Sequence, residues 1–380
     1  MLTYLDHNAT TPLDEKVFEA MLPFLKEHFG NASSRHEYGR IARKAVEEAR
    51  EQVADAVGAH PSQVIFTSGG TEANNLMLKG ASAYLKPSQV VVGSVEHPSV
   101  MKPAQELAFH GWTVRKIASD GQGLLDLRDA ELALQTPTGL VSSMLVNNET
   151  GVIQNVSAIA ELARKQGAWM HTDAVQALGK INVDFASLNV HAMTLSAHKI
   201  YGPKGAAALV IDKRLELKPL ISGGGHEKGL RAGTENVSAI VGFGVACELA
   251  HKRLTDASLN LLAMREKLES GLAASGAVIF GQAADRVKNT SYFAFPGIDG
   301  ETLVMELDRA GYAVASGSAC SSGSTEPSPV LMAMQVEREL ARGALRVSLG
   351  KDTVDAQIDG FVVALQTVLA RLRKLSAIAV

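Results

Sequence analysis

The sequence predicts an α/β protein with a mostly parallel central sheet covered by helices and a smaller α+β domain. Three observations lead there. Between about residues 35 and 211, short apolar runs alternate with amphipathic stretches, the pattern of strands buried on both faces and linked by helices. After about residue 255 the order of helical and strand-like segments becomes mixed. Finally, 46% hydrophobic against 20% charged residues in a chain of 380 supplies a large core.

In chain order, residues 40–57 place Ile41, Ala45, Ala49, Val53 and Val57 at spacings of four, an amphipathic helix closed by Gly58. A strand is expected at 64–66, a helix at 71–85, a strand at 90–92, a helix near 98–110 and a strand at 114–117. Residues 140–146 read as a strand and 156–166 as the helix behind it; 169–171, 192–195 and 206–211 are three further strands. Helix 254–273 then precedes strands 278–280 and 291–295, helix 302–309, strands 312–315 and 345–348, and a final helix over 353–374.

The 37 Lys+Arg and 40 Asp+Glu residues leave a net charge of −3, without the basic excess of a nucleic-acid binder. No apolar run approaches the roughly 20 residues of a membrane span, and the N-terminus lacks a basic region followed by an apolar stretch. A cytoplasmic location is expected. Two cysteines, Cys247 and Cys320, cannot make a disulfide framework or a multi-thiolate metal site within one chain. The eleven histidines include no His-x-x-x-His pair, so no metal site is expected. A phosphate-binding P-loop, a three-glycine dinucleotide fingerprint and a Gly-x-Ser-x-Gly elbow are all missing.

Polar residues do cluster just after short strands. Thr67-Ser-Gly-Gly-Thr71-Glu72 runs from a strand into a helix start, where free N–H groups at Gly70 and Thr71 suit a phosphate. On its own the same pattern also serves as an ordinary helix cap. His171-Thr-Asp173-Ala-Val-Gln176 puts a carboxylate at a strand end, and Ser196-Ala-His198-Lys199 a hydroxyl, an imidazole and a lysine at another. A lysine for a Schiff base, an aspartate for a pyridinium nitrogen and a phosphate nest are the parts a pyridoxal phosphate enzyme needs.

Set out in full, these segments resemble those of a known family. Tyr4-Leu-Asp-His-Asn-Ala-Thr-Thr-Pro12, Thr67–Glu72, Glu96-His97, Val146-Asn-Asn-Glu-Thr-Gly151, His171–Gln176 and Ser196–Gly205 occur in order. Gly223-Gly-Gly-His-Glu227, Arg231-Ala-Gly-Thr234 and Ser316-Gly-Ser-Ala-Cys-Ser-Ser322 complete the set. Nearly end to end, the chain resembles cysteine desulfurases of the nitrogen-fixation and iron–sulfur-cluster type, in the class V aminotransferase group of fold-type I pyridoxal phosphate enzymes.

The resemblance implies roles for residues at the matching positions. Lys199 would carry the cofactor, Asp173 would pair with its ring nitrogen, and Gln176 and Asn148 would lie near its phenolic oxygen. His97 would stack on the ring and move protons. Gly70, Thr71, Ser196 and His198 would hold the phosphate, joined by Thr234 from a neighbouring subunit, which implies a homodimer. Arg346 would clamp the substrate carboxylate, with Asn148 nearby and Asn31 a second candidate for that region; an arginine fork suits a carboxylate better than lysine does. Arg346 also reads as an ordinary strand arginine paired with a nearby carboxylate. The expected division is a large cofactor domain over 15–255 and a small domain made from 1–14 and 256–380.

The two thiols separate by context. Cys247 lies on an apolar helical face, where cysteine acts as a small hydrophobe. Cys320 lies among glycines and serines with little to pack against, the composition of a functional loop. The expected reaction converts L-cysteine to L-alanine and leaves the sulfur as a persulfide on Cys320 for an acceptor protein. Another class V enzyme, such as a selenocysteine lyase or an aminotransferase, is the alternative; a non-catalytic sulfur carrier would explain Cys320 but not Lys199 with Asp173. Ala197 and Thr150 stand where relatives often have Gly and Ile, removing no functional group. The chain stops at Val380 without the tail that housekeeping members use to contact their scaffold, so the sulfur acceptor stays open.

Overall fold

The computed structural model describes residues 2–256, 258–317 and 326–378. The chain begins with β1 (Thr3–Tyr4), α1 (Glu15–Lys26) and α2 (Glu37–Asp55). Strand and helix then alternate: β2 (Val64–Thr67), α3 (Gly70–Ser82), β3 (Gln89–Gly93), α4 (Pro98–Glu106), β4 (Thr113–Ile117), α5 (Leu127–Ala133), β5 (Thr138–Ser142) and α6 (Val156–Lys165). Next come β6 (Trp169–Asp173), β7 (Ala192–Ser196), β8 (Ala207–Ile211), α7 (Val237–Asp256) and α8 (Ser258–Ala274). The remainder is β9 (Val278–Ile279), β10 (Thr290–Ala294), α9 (Gly300–Arg309), β11 (Tyr312–Ala313), β12 (Ala315–Ser316), α10 (Pro329–Ala333), α11 (Arg338–Arg342), β13 (Leu345–Ser348) and α12 (Asp355–Ile378).

The main sheet has strand order β2-β8-β7-β6-β5-β3-β4, parallel except for β8, which runs against both neighbours. Alternation along each strand divides the core between two faces. Phe66, Val91, Val141, Met170 and Met193 point into the layer of α2, α6 and α7, whereas Ile65, Val90, Val92, Leu140 and Leu209 point toward α3 and α4. The six co-directional strands therefore end along one edge, where ligands of such sheets bind.

A second, antiparallel sheet of order β12-β13-β10-β9 packs its Phe293, Leu345 and Val347 against Leu268 of α8 and Phe361 and Leu365 of α12. Leu5 is buried in this same cluster, and β1 pairs in parallel with β11. The N-terminal strand thus reaches the C-terminal part of the chain before α1 begins.

Two predicted strands come out differently. The strand expected over 140–146 ends at Ser142: Ser143 and Leu145 N–H still donate to His171 O and Asp173 O of β6, but Met144 N–H between them donates at 2.6 Å to the Glu96 carboxylate. The strand expected over 312–315 is two: Tyr312 pairs with Thr3, whereas Ala315 pairs with Arg346 of the other sheet. The helix expected from 254 is α8, and α7 precedes it over Val237–Asp256.

Candidate active site

At the carboxyl edge of the main sheet lies a cleft of about 340 Å³, lined by Gly70, Thr71, His97, Asn148, Asp173, Gln176, Ser196, His198, Lys199 and Arg346. Every one of these was singled out from the sequence. They converge because each lies at or just after the end of a strand of the sheet or, for Arg346, sits on β13 where the second sheet closes over that edge.

Asp173 is the last residue of β6 and only 6% exposed. Its Oδ1 accepts from Val175 N–H at 3.0 Å and its Oδ2 from Asn74 Nδ2 at 2.8 Å. The same Asn74 nitrogen donates to Ser99 Oγ at 2.9 Å. Ser99 in turn fixes His97, whose Nδ1 accepts from Ser99 N–H at 3.1 Å while His97 caps α4. An accepting Nδ1 carries no proton, so the ring keeps its proton on Nε2. Burial lowers the His97 pKa, and the Asp173 charge acts the other way, so the imidazole is neutral at pH 7.

Lys199 ends the single turn Ala197–Lys199 that follows β7. Its Nζ donates to the backbone carbonyls of Asn8 and Ala9, each at 2.6 Å. On the phosphate side, α3 begins at Gly70, and the first-turn amides of a helix have no helical acceptor. Ser196 Oγ is buried without a partner among the described residues. His198 Nδ1 lies 3.2 Å from Thr10 Oγ1, and burial together with Lys199 and Lys204 pushes its pKa down to about 4. It can therefore offer a neutral N–H, not a charge.

Arg346 is 5% exposed; its Nη1 donates to Asn148 O at 2.9 Å and its Nη2 to Asp6 Oδ1 at 2.7 Å. It is thus a strand arginine paired with a carboxylate, and it also lines the cleft. Its Nε is buried with no partner among the described residues.

Asn31 and Thr234 do not line this cleft within one chain. Both border a second cavity with Arg43, Arg50, His226 and Glu227. Cys320 lies outside the described residues. Cys247 is fully buried in α7, and burial pushes its thiol pKa far up, as its core reading requires. Among the described residues no His, Cys, Asp and Glu group could hold a metal, and no helix is long and apolar enough to cross a membrane.

Asn74, Ser99 and Asn8 went unassigned in the sequence. Asn8, 1% exposed, accepts on its carbonyl from Gln176 Nε2 at 2.9 Å as well as from Lys199. The signal available for Asn74 was its place one turn beyond Thr71, on the same side of the helix.

Residues 3–361 match the class-V aminotransferase family, and the chain belongs to it. It is 44% identical over 373 residues to a cysteine desulfurase of Bradyrhizobium diazoefficiens, covering 97% of this chain and 95% of the relative. It is 40% identical over 377 residues to the cysteine desulfurase NifS of Azotobacter vinelandii, covering 98% and 94%. Among solved structures, a NifS-like protein superposes with TM-score 0.91 at 36% identity, covering 97% of this chain and 100% of that one. The NifS-like protein of Rickettsia africae gives TM-score 0.89 at 32% identity, with 97% and 100% covered. The α/β architecture expected from the sequence is thus the fold of NifS-like proteins.

Proposed function

We propose that the protein is a pyridoxal-phosphate-dependent cysteine desulfurase, and that it delivers sulfur to an acceptor protein of iron–sulfur cluster assembly or related trafficking. The meeting of Lys199, Asp173, His97 and Arg346 around one cleft carries this reading. The residues present fit the cofactor. The unpartnered Ser196 hydroxyl and the first-turn amides of α3 suit a phosphate, and the buried Asp173 carboxylate suits a protonated ring nitrogen.

Bound there, the cofactor supplies a Schiff-base partner for the substrate amine and an electron sink for its α-carbon. Arg346 binds the substrate carboxylate, with Asp6 and Asn148 O keeping its fork in place. Lys199 would take the α-proton of the bound substrate, and His97, neutral with its proton on Nε2, could hand one on. The thiolate of Cys320 then forms an S–S bond to the substrate sulfur as the C–S bond breaks. That bond's electron pair stays on the β-carbon, which gains a proton; Lys199 returns a proton to the α-carbon to give L-alanine, and Cys320 keeps the sulfur as a persulfide.

In this reading Thr234 serves the neighbouring subunit of a homodimer, and the enzyme works in the cytoplasm. The chain divides into a cofactor domain over 15–255 and a small domain of 1–14 with 256–380, a division supported by the burial of Leu5 among side chains of residues 264–369. The test is sulfide and alanine release from L-cysteine by protein reconstituted with pyridoxal phosphate. Cys320→Ser should abolish it without loss of cofactor. Sulfide release at the wild-type rate would overturn the role of Cys320, and a colourless protein that takes up no cofactor would overturn the whole reading.

A further inference from the structure

Lys180 is a lysine near the cleft with no part in the reaction above. It stands one turn after Gln176, in the tight turns that follow β6, where Gly179 at φ 74° packs against Ile200 and Ala250. Its Nζ turns inward and donates to Asn8 Oδ1 at 2.7 Å and to Gln176 Oε1.

We propose that Lys180 is a positioning residue that locks the Gln176 side-chain amide with its nitrogen end available to the cofactor. The proposal rests on the cofactor reading of the cleft. The two ends of a primary amide have nearly the same shape, so its partners decide which end faces which way. Here Oε1 is held by Lys180, and one hydrogen of Nε2 is committed to Asn8 O at 2.9 Å. The second hydrogen of Nε2 is left for the cleft that Gln176 lines. Turned over, the amide would set Oε1 against the Asn8 carbonyl, acceptor to acceptor, and Nε2 against an amine already donating to Asn8.

Lys180 can do this in either protonation state, since a neutral amine still has two N–H groups for its two acceptors. Lys199 and Arg346 both disfavour its charge, and it faces His7; Lys180 also borders a second cavity behind the cleft whose other charged or titratable lining groups are Tyr201, Arg253, Lys288 and Lys351. Burial, with the two cations adding to it, holds its pKa well below the ordinary lysine range. Asn8 extends the arrangement toward the substrate side. Its Nδ2 donates to Asn148 O at 3.3 Å, the carbonyl that also receives Arg346.

A donor aimed at the phenolic oxygen stabilises its anionic form and makes the proton it shares with the Schiff-base nitrogen easier to lose. Removing Lys180 frees the amide to turn, so the shared proton is held more tightly. The experiment titrates the visible band of protein loaded with pyridoxal phosphate, in wild type, Lys180→Met, Lys180→Arg and Gln176→Glu. Lys180→Met should move the midpoint up by roughly half a pH unit or more, the size of one hydrogen bond. Gln176→Glu, which has no N–H to give, should move it the same way. Lys180→Arg keeps a donor and should restore the wild-type midpoint.

An unchanged midpoint in Lys180→Met, with a normal wild-type band, overturns the proposal alone. No band in wild type overturns the cofactor reading and the proposal with it. If Lys180→Met does not fold, the other two variants decide: a Lys180→Arg shift as large as that of Gln176→Glu counts against positioning.

Discussion

Asn74 Nδ2 donates to Asp173 Oδ2 at 2.8 Å, so a helix side chain holds the carboxylate at the end of β6 from the side. Because the same nitrogen also reaches Ser99 Oγ, one amide joins Asp173 to the residue that orients His97. Asn74→Ala should therefore weaken the hold on pyridoxal phosphate. A buried hydrogen bond to a charged group is worth about 1.5–3 kcal/mol, or roughly 10- to 100-fold in affinity. Absorbance titration of the cofactor-free protein measures it, and a dissociation constant within twofold of wild type would contradict it.

Arg346 should show its bidentate role in binding. Arg346→Lys keeps the charge but cannot present two parallel N–H groups to the substrate carboxylate. The expected result is a KM for L-cysteine raised about tenfold or more, a free-energy difference near 1.4 kcal/mol, with an unaltered cofactor spectrum. An unchanged KM would leave Arg346 as no more than the partner of Asp6.

Gly317 has no room for a side chain: a Cβ there would lie 2.2 Å from Tyr292 Oη. Gly317→Ala should destabilise the protein by about 1–3 kcal/mol, the usual cost of overpacking. Tyr292→Phe in the same chain removes the obstructing oxygen and should recover a good part of that loss. Urea unfolding of the two single variants and the double variant gives the coupling directly.

His171 is fully buried between Ser142 and Thr194, and burial lowers its pKa to about 4. A histidine depressed in the folded state binds its proton more readily when unfolded, so stability falls as pH drops below the unfolded value of about 6.5. The loss continues down to the folded value near 4, where this residue alone accounts for about 3 kcal/mol. Urea midpoints between pH 7 and pH 4.5 should fall less steeply in His171→Gln than in wild type. Parallel pH profiles would count against it.

The inner sheet strands were legible because both faces of each are buried, so Val90–Val92 or Ala192–Leu195 appear as short, largely apolar runs whatever surrounds them. The limits of β5 were not, because the acceptor that ends it is Glu96, 48 residues away from Met144. α1 carries a proline, Pro23, and two exposed large apolar side chains, Phe18 and Leu25. Of the residues lining the cleft, Gly70, Thr71, Asp173, Ser196, His198 and Lys199 could be named from their positions at strand ends, and His97, Asn148, Gln176 and Arg346 from the resemblance to a known family. Asn8, Asn74 and Lys180 could not, since their importance lies in contacts such as Asn8 with Thr290, 282 residues apart. Local pattern carries chemistry that sits on a strand end; it carries little about the side chains that brace it.

The burial of Cys247 has an analytical consequence. With only two cysteines in the sequence and this one sealed in the core, thiol alkylation of the folded protein cannot come from position 247, so any thiol that reacts is at position 320. A gain of sulfur mass after L-cysteine would then have to be sited at position 320, with no background from Cys247.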